Sequence, residues 1–291
     1  LRCLVGSEMC IRDRSEGCTP LNYFSYGGQV IDAETGNGVP NAKVLFASNT
    51  FNIELSTNAN GNFNTANFLE GTYTVYAGKW GYRTKDVPGT AVVDGSSPIT
   101  IEINTGYYDD FILDFEWGTT GAATTGMWTR GNPIGTDFDG NPANPGADVN
   151  GDLGSLCLMT GNGGGSGGTD DIDDGLTNVV SPIFDLSGYD NPYISYYSWF
   201  YNGGGADGSV APNDELRITL ENGTTTADLE VRNANSSNLS QWVFNNYRVV
   251  DYLTPSSTMR LRVQSFDVGD GHIVEAAFDY FEVVDSGQVS G

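Results

Sequence analysis

The chain has 291 residues and carries 37 Asp and Glu against 13 Lys and Arg, a formal net charge of −24. This excess of acid argues against nucleic acids and anionic membrane surfaces as partners, because both require clustered cations. No apolar run approaches the roughly 20 residues that a transmembrane helix needs, and the length indicates about two domains.

The first fourteen residues, LRCLVGSEMCIRDR, differ in composition from the rest of the chain. They do not form a secretory signal, because Glu8, Arg12 and Asp13 interrupt any apolar run. Residues 4–13 resemble the translation of a widely used transposon-type sequencing adapter. We therefore interpret residues 1–14 as an artefact and expect the native N-terminus to be missing, so the absence of a signal does not bear on localisation.

The sequence holds four cysteines. Cys3 and Cys10 fall in the interpreted artefact, and their spacing, with no histidine near, does not match a zinc site. Cys157 stands in the apolar string LCLM and is expected to be a buried free thiol. Cys18 lies in a predicted linker over residues 15–26. If it forms a disulfide bond, its partner would lie in a segment that is missing upstream.

Short alternating segments such as TYTVYA, DELRITLE, TMRLRVQSF and AAFDYFEVV recur along the chain, bounded by Gly, Asn, Asp and Pro. Such segments are typical of strands and turns, and no stretch has a sustained helical period. The sequence therefore predicts an all-β protein, built as a sandwich or a barrel.

The first module, predicted over residues 27–104, contains GQVIDAETG, VPNAKV, TNANGNF and LEGTY, followed by Gly81-Tyr82. In this module Asn60-Gly61 predicts a β-hairpin turn. These strings resemble the carboxypeptidase regulatory-like family. The resemblance implies a small transthyretin-like β-sandwich in which none of these residues is catalytic.

The second module, predicted over residues 107–286, shows landmarks in the order DFE, WTRGNPIGT, LMTGN, DIDDG, SPIFDLSGYDNPYISYYSWF and VEAAFDYFEV. Together they resemble MAM-like modules found toward the C-terminus of secreted bacterial peptidases, zinc carboxypeptidases included. The resemblance implies a larger jelly-roll β-sandwich with accessory duties.

The aromatic stretch SPIFDLSGYDNPYISYYSWF is predicted to be a pair of strands joined by a turn. Aromatic residues fall on both faces of the second strand, so one face is expected to build the core. The other face is open to two interpretations, a covered inner sheet or a surface on which sugars stack.

Catalytic signals are absent from the sequence. Its one histidine, His272, stands beside a Gly-rich turn and is predicted to be a surface residue. A zinc peptidase or a serine triad needs more than this single imidazole. GNGGGSGGTDD lacks the ending of a phosphate-binding loop. A paired-carboxylate glycosidase stays open in principle, although acidic pairs arise here by chance.

The acidic loops DFDGNPANPGADVNGD and TDDIDDG gather the oxygen ligands that calcium prefers, although neither fits the EF-hand spacing. The resemblance to jelly rolls implies a structural ion between the first and last strands, with Glu116 and Asp279 as strand ligands. The candidate loop ligands are Asp148, Asp171, Asp173, Asp174 and Asp214. Solvated acidic surface without any ion is the competing interpretation.

These observations predict a non-catalytic accessory region of a secreted or cell-surface bacterial protein. The resemblance implies that its parent is a zinc carboxypeptidase, whose catalytic domain would lie upstream and act as a partner within the same chain. Protein or glycan surfaces are further expected partners, and a lectin-like carbohydrate-binding module is the alternative function.

Overall fold

The computed structural model describes residues 21–204, 211–269 and 271–286 in full. Of the first twenty residues it describes only the backbone of three strands, β1 (Arg2–Val5), β2 (Glu8–Asp13) and β3 (Gly17–Pro20). The predictions for Cys3, Cys10 and Cys18, and for the nature of residues 1–14, therefore lie outside the side chains that are described.

The chain divides into two compact units. Among the described residues, unit 1 holds those up to Lys79 together with Lys85–Thr105, and unit 2 holds Trp80–Thr84 and the residues from Gly106 onward. The described parts of both units contain strands and one short 3-10 turn, Val249–Asp251, but no α-helix. The prediction of an all-β protein is thus confirmed. No helix in the described ranges has the length and apolar character needed to cross a membrane.

Unit 1 is a two-sheet sandwich. Its strands are β4 (Phe24–Asp32), β5 (Lys43–Ala47), β6 (Asn52–Ser56), β7 (Asn62–Phe68), β8 (Gly71–Gly78), β9 (Lys85–Val92) and β10 (Ile99–Ile103). One sheet has the order β10-β4-β7, and the other has the order β6-β5-β8-β9. Alternate residues of these strands point inward, so Val30, Phe46 and Tyr73 are buried between the sheets.

The turn at Asn60-Gly61 differs from its prediction. Gly61 has a φ of +75°, as a tight turn requires. However, the strands on either side, β6 and β7, belong to different sheets and do not pair. The hairpin prediction was wrong, because turn chemistry specifies a change of direction but not which neighbour the next strand will join.

Unit 2 is a larger sandwich. Its strands are β11 (Tyr107–Asp109), β12 (Gly118–Gly121), β13 (Trp128–Gly131), β14 (Thr136–Phe138), β15 (Asn141–Asn144), β16 (Cys157–Thr160), β17 (Gly165–Ser166), β18 (Gly175–Val180), β19 (Pro192–Gly203), β20 (Glu215–Glu221), β21 (Thr226–Asn233), β22 (Val243–Arg248), β23 (Arg260–Asp267) and β24 (Ile273–Asp285).

Two sheets enclose the core of unit 2. The first runs β13-β16-β24-β19-β22, with β11 also paired to β24, and the second runs β12-β18-β23-β20-β21. Side chains from both sheets, including Phe200, Phe278, Ile218 and Val263, form one hydrophobic cluster between them. A small third sheet, β15-β14-β17, lies outside this core.

The aromatic stretch supplies one strand rather than the predicted pair. Pro192–Gly203 forms β19, whereas Ser181–Asp190 contributes only an isolated bridge between Phe184 and Met259. The buried Phe184 still enters the core, and two backbone hydrogen bonds with Met259 hold it in place. The thiol of Cys157 is buried and free, as predicted.

Candidate metal centre

A β-bulge in β24 shapes the site. Strand β24 pairs with β19 through Tyr197–Asp279 and Ser195–Glu282, and between these two pairs β24 contains one extra residue. Tyr280 takes up the bulge with a φ of +57°. Bulges of this kind redirect a side chain at a functional site.

The bulge changes which face each residue occupies. Phe278 and Phe281, three positions apart, both enter the core. The intervening Asp279 therefore lies with Tyr280 on the opposite, outer face of the sheet. Asp279 is fully buried there, because further parts of the chain cover it.

Part of that cover is the acidic loop between β15 and β16. Two indole groups of the outer face anchor the segment that leads into it. The Nε1 atom of Trp199 donates a hydrogen bond to the carbonyl of Ala143 at 2.7 Å, and that of Trp242 donates to the carbonyl of Ala147 at 3.0 Å. This anchoring brings Asp148, the next residue, to the outer face of the sheet.

Three carboxylates meet at this point and are named here the carboxylate cluster: Asp148, Asp152 and Asp279. One oxygen from each lies within 4.8 Å of the others. Two ligands on opposite sides of a calcium ion are about 4.8 Å apart, since its bonds to oxygen measure 2.3–2.6 Å. The three oxygens can therefore contact one ion together.

Several oxygens of the carboxylate cluster have no hydrogen-bond partner. Both oxygens of Asp148, and Oδ2 of both Asp152 and Asp279, are buried without one. Oδ1 of Asp279 accepts a hydrogen bond from the backbone N–H of Tyr280 at 2.7 Å. Buried polar atoms are nearly always paired in folded proteins, so these facing oxygens require either a proton shared between Asp148 and Asp279 or a bound cation.

The electrostatics of the carboxylate cluster favour a cation. Burial, and then the charge of Asp148, raises the pKa of Asp152 to about 6. Burial, together with Asp148 and Asp152, raises the pKa of Asp279 well above its usual range. Among the described residues, no Lys or Arg forms an ion pair with any of the three. A bound cation would offset this mutual repulsion.

Asp110 adds a fourth acid to the surroundings. It is fully buried, its Oδ2 has no partner, and burial and the neighbouring Asp109 raise its pKa to about 8. The charge of Asp152 contributes to the same shift. Asp110 and Asp152 were both missed in the sequence. A signal for Asp152 was present, because D-x-N-x-D over residues 148–152 repeats the alternating oxygen ligands that open a calcium loop.

A second group, named here the histidine cluster, contains Asp214, Asp267 and His272. His272 is only 3% exposed, so the prediction that it lies on the surface was wrong. Its Nδ1 lies 3.0 Å from Oδ2 of Asp214, and its backbone N–H donates to Oδ2 of Asp267 at 3.2 Å. The Gly-rich surroundings suggested an exposed turn, whereas three strand ends enclose the imidazole.

The structure separates the seven predicted ligands. Asp148 and Asp279 come together, and Asp214 joins the histidine cluster. Asp171 is buried with a pKa raised to about 7 by its burial and by Asp173.

The three remaining predicted ligands join neither cluster. Asp173 accepts a hydrogen bond from Thr125 Oγ1 at 2.8 Å. Its charge also contributes to the raised pKa of Asp267 in the histidine cluster. Glu116 and Asp174 are exposed and belong to neither cluster.

The aromatic side chains of the outer face are tilted against one another. Tyr197 meets Phe244 at an interplanar angle of 54° and Tyr280 at 89°. Trp199 meets Trp242 at 72° and is buried. The described rings that contact one another on this face thus do not form a coplanar platform.

Comparison with known families assigns the first module. Residues 27–104 match the carboxypeptidase regulatory-like domain. The match has the same boundaries that the motifs in the sequence gave. It covers most of unit 1 together with Trp80–Thr84 of unit 2, and it does not include the carboxylate cluster. A comparison with curated proteins gave no match.

Solved structures show only distant similarity. The K1 cleaved adhesin domain of Lys-gingipain from Porphyromonas gingivalis W83 is 14% identical with a TM-score of 0.39, over 63% of this chain and 99% of that one. A family 11 carbohydrate-binding module from Clostridium thermocellum is 12% identical with a TM-score of 0.32, over 60% and 92%. A DUF3823 family protein from Bacteroides ovatus ATCC 8483 is 11% identical with a TM-score of 0.25, over 91% and 99%. With TM-scores below 0.5, these likenesses carry no argument about function.

Proposed function

We propose that the chain is a tandem of non-catalytic β-sandwich modules from a secreted or cell-surface protein, and that unit 2 is stabilised by a calcium ion. Asp148, Asp152 and Asp279 hold the ion in this proposal. Unit 1, the carboxypeptidase regulatory-like domain, serves a catalytic domain of the same protein, a zinc carboxypeptidase. Unit 2 is a MAM-like accessory module in adhesion or substrate attachment.

The set of unpaired carboxylate oxygens carries the calcium proposal. Three carboxylates converge within 4.8 Å, and four of their oxygens are buried without a hydrogen-bond partner. Leaving a buried carboxylate unpaired costs free energy, and the cost grows when like charges adjoin. Calcium accepts six to eight oxygen ligands and fits a site made only of oxygens. The ion would link the acidic loop to the last strand of the sandwich.

The non-catalytic role is supported by the composition of the chain. It contains one histidine, and that residue is buried against Asp214. A catalytic zinc site of the peptidase type requires two histidines and a carboxylate. The buried acids that suggest a glycosidase are better explained as ion ligands, because unpaired oxygens of three carboxylates converge within 4.8 Å at the carboxylate cluster.

The glycan-binding alternative receives less support from the geometry. Sugar rings stack on aromatic side chains that present a common plane. Neither Tyr197 with Phe244 nor Trp199 with Trp242 provides one. The indoles of Trp199 and Trp242 anchor the acidic loop through hydrogen bonds, which gives these aromatic residues a structural role.

Calcium-dependent unfolding tests the proposal. All five tryptophans lie in unit 2, and all except Trp80, which stands between strands β8 and β9 of unit 1, lie in its continuous part, so tryptophan fluorescence follows mainly this unit. We expect calcium to raise the free energy of unfolding of unit 2 by about 2.7 kcal/mol at one hundred times its Kd, because the ion binds only the folded state. A chelator should reverse the shift.

Two variants make the test specific. Asp279→Asn should abolish the calcium-dependent shift, because it removes one charged ligand. Asp174→Asn is the matched control, since Asp174 is exposed and its φ of +55° suits asparagine as well. A calcium shift that persists in Asp279→Asn, or that is absent in the unaltered chain, would show that the carboxylate cluster does not bind calcium.

A further inference from the structure

The histidine cluster lies where three strands of unit 2 begin or end. Asp214 directly precedes β20, Asp267 is the last residue of β23, and His272 directly precedes β24. Strands β20 and β23 are antiparallel neighbours, so Asp214 and Asp267 stand at the same end of one sheet. All three side chains are buried.

The contact between His272 and Asp214 requires a proton or a metal ion between its two atoms. Nδ1 of His272 lies 3.0 Å from Oδ2 of Asp214. If the neutral ring carries its proton on Nε2, Nδ1 and the carboxylate oxygen are both acceptors and repel. Either a proton on Nδ1 or a metal ion must therefore lie between them. Two ligands of a tetrahedral metal with bonds of about 2.1 Å lie about 3.4 Å apart, so a small movement of either side chain would admit the ion.

Asp267 provides a second, independent observation. Its carboxylate is 1% exposed, and Oδ1 has no hydrogen-bond partner. Oδ2 of Asp267 is occupied by the backbone N–H of His272, and Oδ1 of Asp214 accepts from the N–H of Val268 at 3.3 Å. A hydrogen bond between His272 and Asp214 explains those two side chains but leaves the buried Oδ1 of Asp267 unexplained.

We propose that Asp214, Asp267 and His272 form a second cation site in unit 2, which binds a divalent first-row transition metal such as Zn²⁺. One ligand atom from each residue lies within 4.8 Å of the others. An imidazole nitrogen combined with carboxylate oxygens suits zinc and its neighbours, whereas calcium and magnesium prefer oxygen alone. The ligand types thus distinguish this site from the all-oxygen carboxylate cluster.

The single histidine makes a direct test possible. Because the chain holds one histidine, every imidazole signal in a ¹⁵N NMR spectrum of the untagged protein belongs to His272. We expect the metal-free chain to carry a proton on Nδ1, hydrogen-bonded to Asp214. One equivalent of Zn²⁺ should remove that proton and leave Nε2 protonated. With ¹¹³Cd²⁺ as the probe, Nδ1 should show coupling to the metal.

Substitutions test whether Asp267 and His272 are ligands of the Zn²⁺ ion that the NMR spectrum detects. Asp267→Asn should weaken Zn²⁺ binding at least about tenfold, and Asp190→Asn, at an exposed turn, should leave it unchanged. If Asp267→Asn does not fold, His272→Gln replaces it in calorimetry. Its amide still donates to Asp214 but offers no imidazole nitrogen, so the Zn²⁺ heat that belongs to this site should disappear.

Three outcomes would overturn the proposal. If Nδ1 stays protonated at saturating Zn²⁺, the contact between His272 and Asp214 is a hydrogen bond only. If Ca²⁺, and not Zn²⁺, changes the His272 spectrum, the site is a hard oxygen site. If Asp267→Asn binds Zn²⁺ as tightly as the unaltered chain, Asp267 is not a ligand. Zinc held by the cysteines would not change the imidazole tautomer, and none of these outcomes depends on the carboxylate cluster.

Discussion

Individual carboxylates account for much of the chemistry of unit 2. Asp109 is almost fully buried, and burial raises its pKa to about 7 although Trp117 Nε1 and the N–H of Phe111 donate hydrogen bonds to it. Burial raises the pKa of Asp110 to about 8 and that of Asp171 to about 7. Burial thus favours the neutral, protonated form of each of these three carboxyl groups.

Single glycines limit which residues unit 1 accepts. Gly61 has a φ of +75°, and a Cβ there would lie 2.4 Å from the carbonyl oxygen of Val30 and 2.6 Å from Cα of Gly38. Gly36 has a similar φ of +70°, but a Cβ there would meet nothing within 4 Å. A substitution at Gly36 therefore adds backbone strain alone, whereas one at Gly61 adds both backbone strain and steric overlap.

We expect Gly61→Ala to destabilise unit 1 by about 3 kcal/mol or more, because it adds overlap with the backbone to the strain of a left-handed residue. Gly36→Ala should cost only about 1 kcal/mol, since it pays the strain alone. Urea unfolding followed by circular dichroism reports both units. The transition that circular dichroism shows and tryptophan fluorescence does not is assigned to unit 1. Equal losses in the two variants would contradict the geometry.

At the scale of elements, β24 joins the core of unit 2 to its candidate metal centre. Its inner face contributes Val274, Ala276 and Phe278 to the hydrophobic cluster. Its outer face contributes Asp279, placed by the bulge at Tyr280. Strand β22, by contrast, is an edge strand whose Phe244 is 51% exposed.

Phe278→Ala should lower the free energy of unfolding of unit 2 by about 3–5 kcal/mol, because it leaves a cavity in a closely packed core. Phe244→Ala removes the same side chain from the edge strand and should cost less than about 1 kcal/mol, even with its contact to Tyr197 lost. Chemical unfolding followed by tryptophan fluorescence measures both. Similar losses would mean that the side chain of Phe278 does not pack between the two sheets.

At the scale of the whole molecule, the acidic surplus acts together with the buried carboxylates. With a net charge of −24 at pH 7, the chain repels itself more strongly as its acids ionise. The pKa values of Asp109, Asp110, Asp152 and Asp171 are all raised above their values in the unfolded chain. The folded state therefore binds more protons than the unfolded state over the range between these values.

The metal-free protein should consequently lose stability as pH rises from about 4 to about 8, because a raised acidic pKa contributes stability below the unfolded value and loses it on passing the folded value. Unfolding in chelator across this range, followed by tryptophan fluorescence, measures the slope. Saturating calcium should reduce the share of this pH dependence that comes from the carboxylate cluster, because the ion binds the ionised form of its ligands. If the free energy of unfolding in chelator stays level or increases as the pH rises, the pKa values of these aspartates are not raised.

A pair of variants isolates the upper part of that range. Asp110→Asn should reduce the fall between about pH 6 and pH 8, because it removes the group whose pKa is raised to about 8. Asp190→Asn, at an exposed position, should leave the slope unchanged. The same slope in both variants would show that Asp110 is not the titrating group.

The sequence by itself determined the all-β class and the family of the first module. Strand alternation is a local property, because successive side chains point to opposite faces whatever the strand pairs with. The glycine and turn motifs of residues 27–104 are local for the same reason, and the family match has the same boundaries. Asp148 and Asp279 were also reached from the sequence, through an acidic loop and a resemblance.

Only the tertiary structure decided which of these residues meet. It placed Asp152 beside Asp279, enclosed His272 between strand ends, and put β6 and β7 in different sheets. Each outcome depends on pairing between strands distant in the chain, and one bulge at Tyr280 determines the face that Asp279 occupies. Local propensities contain no information on such pairings, because register and burial arise from the packing of the whole unit.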